Sequence, residues 1–215
     1  LADYAAARRA MVDNQIETSA VTDQRLLSVL RRVPRELFVP AARRALAYTD
    51  APHPVGNGRV LPAPAVFARL VQLAGIRETD RVLDHGAGNG YSTAVLAGLA
   101  REVVALDSDP AMTQAARTTL RDLGIANVEI RAGDISAQHF NTFDAIIIEG
   151  AVDEVPDALI RLLAPDGRLV CIVRQGPTGI ASLSTRTSAG VVTRSSFNAT
   201  LPLLEQAAAP EVFVF

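Results

Sequence analysis

Val82-Leu83-Asp84-His85-Gly86-Ala87-Gly88-Asn89-Gly90-Tyr91 is the stretch on which the reading of the fold turns. Val82 and Leu83 form the apolar end of a short strand, three glycines follow at alternate positions, and Ser92 to Leu99 has helical spacing. Glycine belongs where a backbone must turn sharply and approach a ligand, since a Cβ would block either. A strand that runs through such a loop into a helix opens an α/β sheet, whose ligands lie at the carboxyl ends of the strands.

Downstream the alternation continues. Val103 to Leu106 is a second strand, followed by a helix over Pro110 to Leu123. Val128 to Arg131, Ala145 to Ile148 and Arg168 to Val173 are further strands, with a helix over Val155 to Leu163 before the last. Strands separated by helices predict a parallel sheet built from βαβ units. Ser182 to Thr187 and Val191 to Ser196 then turn about Ala189-Gly190 as a hairpin, and Glu211 to Phe215 reads as a final strand. The expected class is α/β: a Rossmann-like sheet, mostly parallel, with antiparallel strands at the C-terminal end and helices on both faces.

Upstream the chain reads as a helical extension. Helices are expected over Asp3 to Ile16 and over Thr22 to Arg32, with Thr22 as N-cap and Pro34 as the stop. Another helix is expected from Pro40 through Ala47, then a proline- and glycine-rich loop over Thr49 to Pro64, then a helix over Ala65 to Leu73. One domain is expected over 1–215: N-terminal helices and a substrate-side loop (1–75), cofactor-binding βα units (76–175), and a terminal hairpin and strand (176–215).

The glycine spacing selects among ligands. The dinucleotide fingerprint is G-x-G-x-x-G, with a pyrophosphate on the helix N-terminus. Here the spacing is G-x-G-x-G, and Asp84 stands two residues before the first glycine. A carboxylate repels a pyrophosphate but suits the ammonium and sulfonium groups of S-adenosyl-L-methionine, so the reading favours that methyl donor. Its candidate contacts are Asp84, His85, Gly86, Ala87, Gly88 and Gly90. Asp107 ends the second strand 21 residues after Gly86 (107 minus 86), where a carboxylate can accept from both ribose hydroxyls, with Ser108 beside it. Asp134 follows the third strand and could accept from an adenine amino group while the Ile135 N–H meets the ring. Alone, Asp134 reads equally well as a turn or cap residue. As a set, the three aspartates end successive strands and converge on one crevice.

Several segments carry a resemblance: Met11-Val12-Asp13-Asn14-Gln15-Ile16, Val33-Pro34-Arg35-Glu36-Leu37-Phe38-Val39-Pro40, Ala47-Tyr48-Thr49-Asp50, Pro54-Val55-Gly56-Asn57-Gly58, the glycine loop, Leu123 to Val128, Gly133-Asp134, Phe143 to Ile146 and Val155 to Leu159. Over nearly its whole length the chain resembles the protein-L-isoaspartate O-methyltransferase family. The resemblance implies a class I methyltransferase fold, S-adenosyl-L-methionine as cofactor, and methylation of the carboxylate exposed at isomerised aspartyl residues of damaged proteins.

The sequence departs from that family's pattern on the acceptor side. Where the pattern is Gln-Thr-Ile-Ser, a small residue and Pro, this chain has Arg59-Val60-Leu61-Pro62-Ala63-Pro64, so the serine position is Pro62. After the fourth strand, Glu149 to Glu154 is acidic rather than alanine-rich, and after the fifth Ile172-Val173-Arg174 replaces Pro-Val-Gly. No catalytic residue is assigned; the substrate-side candidates are Arg59, Val60, Leu61, Glu149 and Arg174. A carboxylate acceptor is already ionised at neutral pH and needs no general base, so alignment and desolvation can carry the reaction. Arg59 or Arg174 would offset the charge of Glu149. Three functions stay open: methylation of isoaspartyl protein or peptide, methylation of a small-molecule acceptor, and a non-catalytic cofactor-binding interaction module.

The bulk properties bound these readings. The chain has 215 residues, 49% of them hydrophobic, with net charge −2 and pI near 5.9, which leaves no basic footprint for nucleic acid. No apolar run approaches a membrane span, and Leu1 to Ile16 lacks the apolar block of a secretory signal. The single cysteine, Cys171, has no internal partner and reads as a core residue, so a reducing cytoplasm is expected. His53, His85 and His139 lack partners at ligand spacing, so no metal is expected. The Arg8-Arg9, Arg31-Arg32 and Arg43-Arg44 pairs read as solvated helix faces, and no oligomeric state is read from the chain.

Overall fold

The computed structural model describes residues 3–204. Its strands are β1 (His53–Gly56), β2 (Arg59–Leu61), β3 (Arg81–His85), β4 (Glu102–Asp107), β5 (Val128–Ala132), β6 (Phe143–Val152), β7 (Leu163–Gln175), β8 (Thr178–Thr187) and β9 (Gly190–Asn198). The helices are α1 (Tyr4–Met11), α2 (Gln24–Leu30), α3 (Pro64–Ala74), α4 (Tyr91–Ala97), α5 (Pro110–Asp122) and α6 (Asp157–Arg161). Seven strands form one sheet in the order β5-β4-β3-β6-β7-β8-β9. Pairing is parallel from β5 to β7 and antiparallel at β7-β8 and β8-β9, which is the expected class.

The central strands carry apolar runs on both faces because both faces of the sheet are covered. Side chains alternate: Val82, Ala145, Ile147, Val170 and Ile172 enter the core shared with the N-terminal segments and α3 to α5. Leu83, Ile146, Ile148, Leu169 and Cys171 enter a second core against α6. Each fully buried valine, leucine or isoleucine contributes about 1.5–3 kcal/mol, so this alternation fixes the register of the strands that build the site. Cys171 is buried, and burial pushes its thiol pKa up to about 12, which suits a core residue.

The helical extension differs from expectation in detail. The first helix stops as α-helix at Met11 and continues as a π turn (Val12–Ile16) and a 3₁₀ turn (Glu17–Ser19). Asp23, not Thr22, caps α2, accepting from Arg25 N at 2.9 Å and Leu26 N at 3.1 Å. The Thr22 and Asp23 amides donate instead to Gln72 Oε1. The segment after Pro40 is a 3₁₀ helix (Ala41–Leu46). Arg8 is not on a solvated face: it donates to the Tyr48 hydroxyl at 2.9 Å and pairs with Glu36 at 3.2 Å.

The larger difference is the expected loop over 49–64. It contains an antiparallel hairpin, β1 with β2, turning at Asn57 (φ 48°) and Gly58 (φ 72°). Asn-Gly is the favoured pair for a two-residue hairpin turn because both residues need positive φ. The surrounding prolines masked that signal. β8 and β9 form the expected C-terminal hairpin, longer at its ends than read. The strand expected over Glu211 to Phe215 lies outside the described residues. No helix among the described residues is long and apolar enough to cross a membrane.

Candidate functional site

The site lies where the sheet order reverses, at the carboxyl ends of β3, β4 and β6. Gly86, Gly88 and Gly90 have φ of 78°, 56° and 93°, so the loop after β3 takes left-handed turns that side chains disfavour. The Gly86 and Ala87 amides donate to Leu106 O at 2.8 and 3.2 Å, which folds the loop across the end of β4. A Cβ on Gly90 would meet that of Ala116 at 3.0 Å, so this glycine lets α4 lie close to α5. A Cβ on Gly86 would stand 2.7 Å from Leu204 Cδ1 and 3.1 Å from Arg59 Nη2, so this glycine borders the crevice itself.

Asp84 is fully buried. Its Oδ2 accepts from Ser92 Oγ at 2.7 Å and Thr93 Oγ1 at 2.6 Å, while Oδ1 has no partner. Burial pushes its pKa up to about 6 against the pull of those two hydroxyls. Asp107 is fully engaged: Oδ2 accepts from Gly88 N at 2.7 Å and Arg59 Nη1 at 3.1 Å, and Oδ1 from Asp109 N at 2.9 Å. His85 Nδ1 is buried without a partner, and burial lowers the imidazole pKa to about 4, so the ring is neutral at physiological pH.

β5 brings Asp134 to the same end of the sheet, since Ala132 pairs with Asp107 and Gly133 N donates to Asp107 O at 2.9 Å. Asp134 caps the turn Ile135–Ala137, accepting from Ser136 N at 2.8 Å and Ser136 Oγ at 2.6 Å. Ile135 packs against the second core, and Ser108 is exposed beside Asp109.

The acceptor-side candidates divide. Arg59 reaches the donor side, where it pairs with Asp107 and donates to Gly86 O. Asn57, at the hairpin tip, donates to Asp109 Oδ2 and ties the hairpin to the start of α5. Val60, Leu61 and Pro62 line a cavity of about 20 Å³ with Tyr91 and Glu149, room for a single water. Arg174 is exposed and pairs with Asp153, its Nε 2.8 Å from Asp153 Oδ1.

Glu149 owes its position to a break in register. Ile147 pairs with Val170 and Ala151 with Ile172, so residues 148–150 of β6 stand opposite Cys171 alone. Such bulges re-aim side chains beside functional sites. Glu149 Oε1 is buried without a partner, and burial beside Asp84 raises its pKa well above the carboxylate range, opposed by Arg59.

Arg35 lies in the Val33–Pro40 segment, whose sequence does not show what the side chain does. Its side chain is fully buried, donates to Ala47 O at 2.8 Å and Pro62 O at 2.5 Å, and stacks 4.9 Å from the Tyr91 ring centroid. It holds the acceptor-side loop at Pro62 against the core. The chain Pro202 to Leu204 was likewise unremarkable in sequence. It pairs with Ala151 on β6 and places Leu204 over Gly86 and Gly150.

The donor set therefore consists of buried carboxylates, unpaired acceptor atoms and a glycine turn at one strand-tip crevice. This chemistry fits a ligand with hydroxyl donors at one end and positive charge at the other, provided that Arg59 yields its place.

Residues 6–201 match the family model described as protein-L-isoaspartate(D-aspartate) O-methyltransferase. The chain is 41% identical over 187 residues to a protein-L-isoaspartate O-methyltransferase of Methylorubrum populi, covering 86% of this chain and 87% of that one. It is 40% identical over 169 residues to protein-L-isoaspartate O-methyltransferase 2 of Shewanella sediminis, covering 78% and 69% respectively. Among solved structures, a Plasmodium falciparum protein-L-isoaspartate O-methyltransferase in complex with S-adenosyl-L-homocysteine superposes with TM-score 0.79, covering 93% of this chain and 99% of that one. At 20% identity that likeness speaks for the fold alone.

Proposed function

The chain belongs to the protein-L-isoaspartate (D-aspartate) O-methyltransferase family, and from that premise we propose that it methylates the carboxylate exposed at isomerised aspartyl residues of damaged proteins and peptides. The methyl donor is S-adenosyl-L-methionine. The observation that carries the reading is the convergence of Asp84, Gly86 and Asp107 on one crevice at the point where the sheet order reverses.

Bound there, S-adenosyl-L-methionine supplies a methyl group activated by its positive sulfur. Asp107 would hold the ribose hydroxyls once Arg59 has left it, Asp84 Oδ1 and Gly86 O would meet the cationic amino-acid end, and Asp134 with the Ile135 N–H would meet the adenine. His85, neutral by burial, adds no positive charge to repel the sulfonium. On the acceptor side Val60, Leu61 and Pro62 line a cavity that leaves little room for water, and a nearly dry site strengthens the electrostatic interactions within it. A carboxylate acceptor needs no proton removed. Glu149 is driven by burial toward its neutral form, so it does not oppose an anionic acceptor and can donate a hydrogen bond to it. A buried Cys171 without a partner fits a reducing compartment, the cytoplasm.

A second reading, a small-molecule acceptor, draws support from one observation: the hydroxyl positions of the family pattern are apolar here, at Val60 and Pro62. Transfer of a labelled methyl group to an isoaspartyl peptide, with the normal aspartyl peptide as control, separates the two. Base-labile label on the isoaspartyl peptide alone is expected. No label at any enzyme concentration, with donor binding confirmed, removes the first reading.

A further inference from the structure

Three carboxylates end adjacent strands around Gly86: Asp84 on β3, Asp107 on β4 and Glu149 on the bulge of β6. Among the described residues the single ion pair made to this set is Arg59 to Asp107, at 3.1 Å. The Arg59 side chain is only 16% exposed, and its other nitrogen, Nη2, donates to Gly86 O. One guanidinium thus uses both ends of the crevice. It takes the carboxylate meant for a ribose and the carbonyl that borders the amino-acid end.

We infer that Arg59 is a built-in substitute for the methyl donor's positive charge, which the donor displaces and which reclaims the crevice once the methyl group has gone. The inference rests on the donor reading above. The physical argument is a charge exchange. S-adenosyl-L-methionine carries a sulfonium, an ammonium and a carboxylate, hence one net positive charge. Displacing Arg59 with it replaces one cation by another beside buried carboxylates. During transfer the acceptor oxygen forms the new O–C bond, the C–S bonding pair stays on sulfur, and the sulfonium becomes a neutral thioether. The product, S-adenosyl-L-homocysteine, then has no net charge to offer. Holding Arg59 away for a neutral ligand leaves buried carboxylates uncompensated, where low dielectric makes this costly. Both ligands meet the same cost of displacing Arg59, but only the donor offers the carboxylates a replacement charge, so the crevice returns to Arg59 once the product has formed.

The hairpin that carries Arg59 suits such a movement. It is a two-stranded ribbon outside the main sheet, and its tip is tied to α5 through Asn57 and Asp109.

Calorimetric titration of wild-type protein, Arg59→Gln and Arg59→Lys with S-adenosyl-L-methionine and S-adenosyl-L-homocysteine tests the inference. A competitor that is removed tightens apparent binding by the fraction of protein it had blocked. Arg59→Gln is expected to tighten donor and product by the same factor, roughly tenfold, while Arg59→Lys, which keeps a cation for Asp107, tightens both less. Arg59→Met serves the same comparison if Arg59→Gln does not melt cooperatively. No shift for either ligand, or weaker binding of both, overturns the inference while leaving the donor reading intact. Absence of heat with either ligand, in wild type and variants alike, overturns the donor reading itself and the inference with it.

Discussion

Arg59 Nη1 donates to Asp107 Oδ2 across 3.1 Å, and the same oxygen accepts the Gly88 amide at 2.7 Å. An acceptor-side hairpin and the donor-side glycine loop thus share one carboxylate atom. A change at either partner is felt at both halves of the site, so the donor affinity of any Arg59 or Asp107 variant reports on hairpin position as well as on ligand contact.

We expect donor binding to depend on pH through Asp84. Burial raises its pKa to about 6, above the ~3.9 of an unfolded aspartate. Because the folded value is the higher one, the native state takes up the proton first as pH falls. Its stability contribution is therefore greatest at low pH and is lost as pH rises through about 6. The cationic donor prefers the ionised form. We expect donor affinity to be level above about pH 7 and to fall by up to about tenfold per pH unit below 6. Calorimetry between pH 5 and 8 reads it, with Asp84→Asn expected to flatten the profile. A level wild-type profile sinks this role for Asp84.

Arg35 fixes the acceptor-side loop from beneath. Arg35→Lys keeps the charge but lacks the planar fork that reaches Ala47 O and Pro62 O together. One buried carbonyl then loses its donor, at a cost of about 1–3 kcal/mol. Urea unfolding is expected to show a lower midpoint at unchanged slope, and the acceptor KM to rise while donor affinity holds. An unaltered midpoint contradicts the assignment.

Pro62 stands where the family pattern has a serine. Pro62→Ser is expected to raise kcat/KM for an isoaspartyl peptide by about tenfold, the worth of one hydrogen bond to a charged group. The gain should appear in the acceptor KM, with donor affinity unchanged. If the rate does not respond, hydroxyl orientation is not what this loop lacks.

The sheet was legible because strand and helix periods are local. The run from Val82 to Tyr91 signals a strand, a turn and a helix within ten residues, and the strands at 103–106 and 145–148 repeat the pattern. The aspartates of the candidate site are legible for the same reason, since each lies at or just past the end of a strand. The hairpin over 53–61 was not: its Asn57-Gly58 turn lay in plain view, but the prolines around it argued for loop.

Sequence by itself thus determined the parallel α/β sheet, the glycine turn and the acidic strand tips, because short-range patterning dictates all three. Only the tertiary structure decided that Arg59 faces Asp107 rather than an acceptor, that Arg174 is paired with Asp153, that a bulge turns Glu149 inward, and that Arg35 braces Pro62. Each of these joins residues more than ten positions apart, 48 in the case of Arg59 and Asp107. The direction of a long side chain across such a gap follows from packing and register, which no local period encodes.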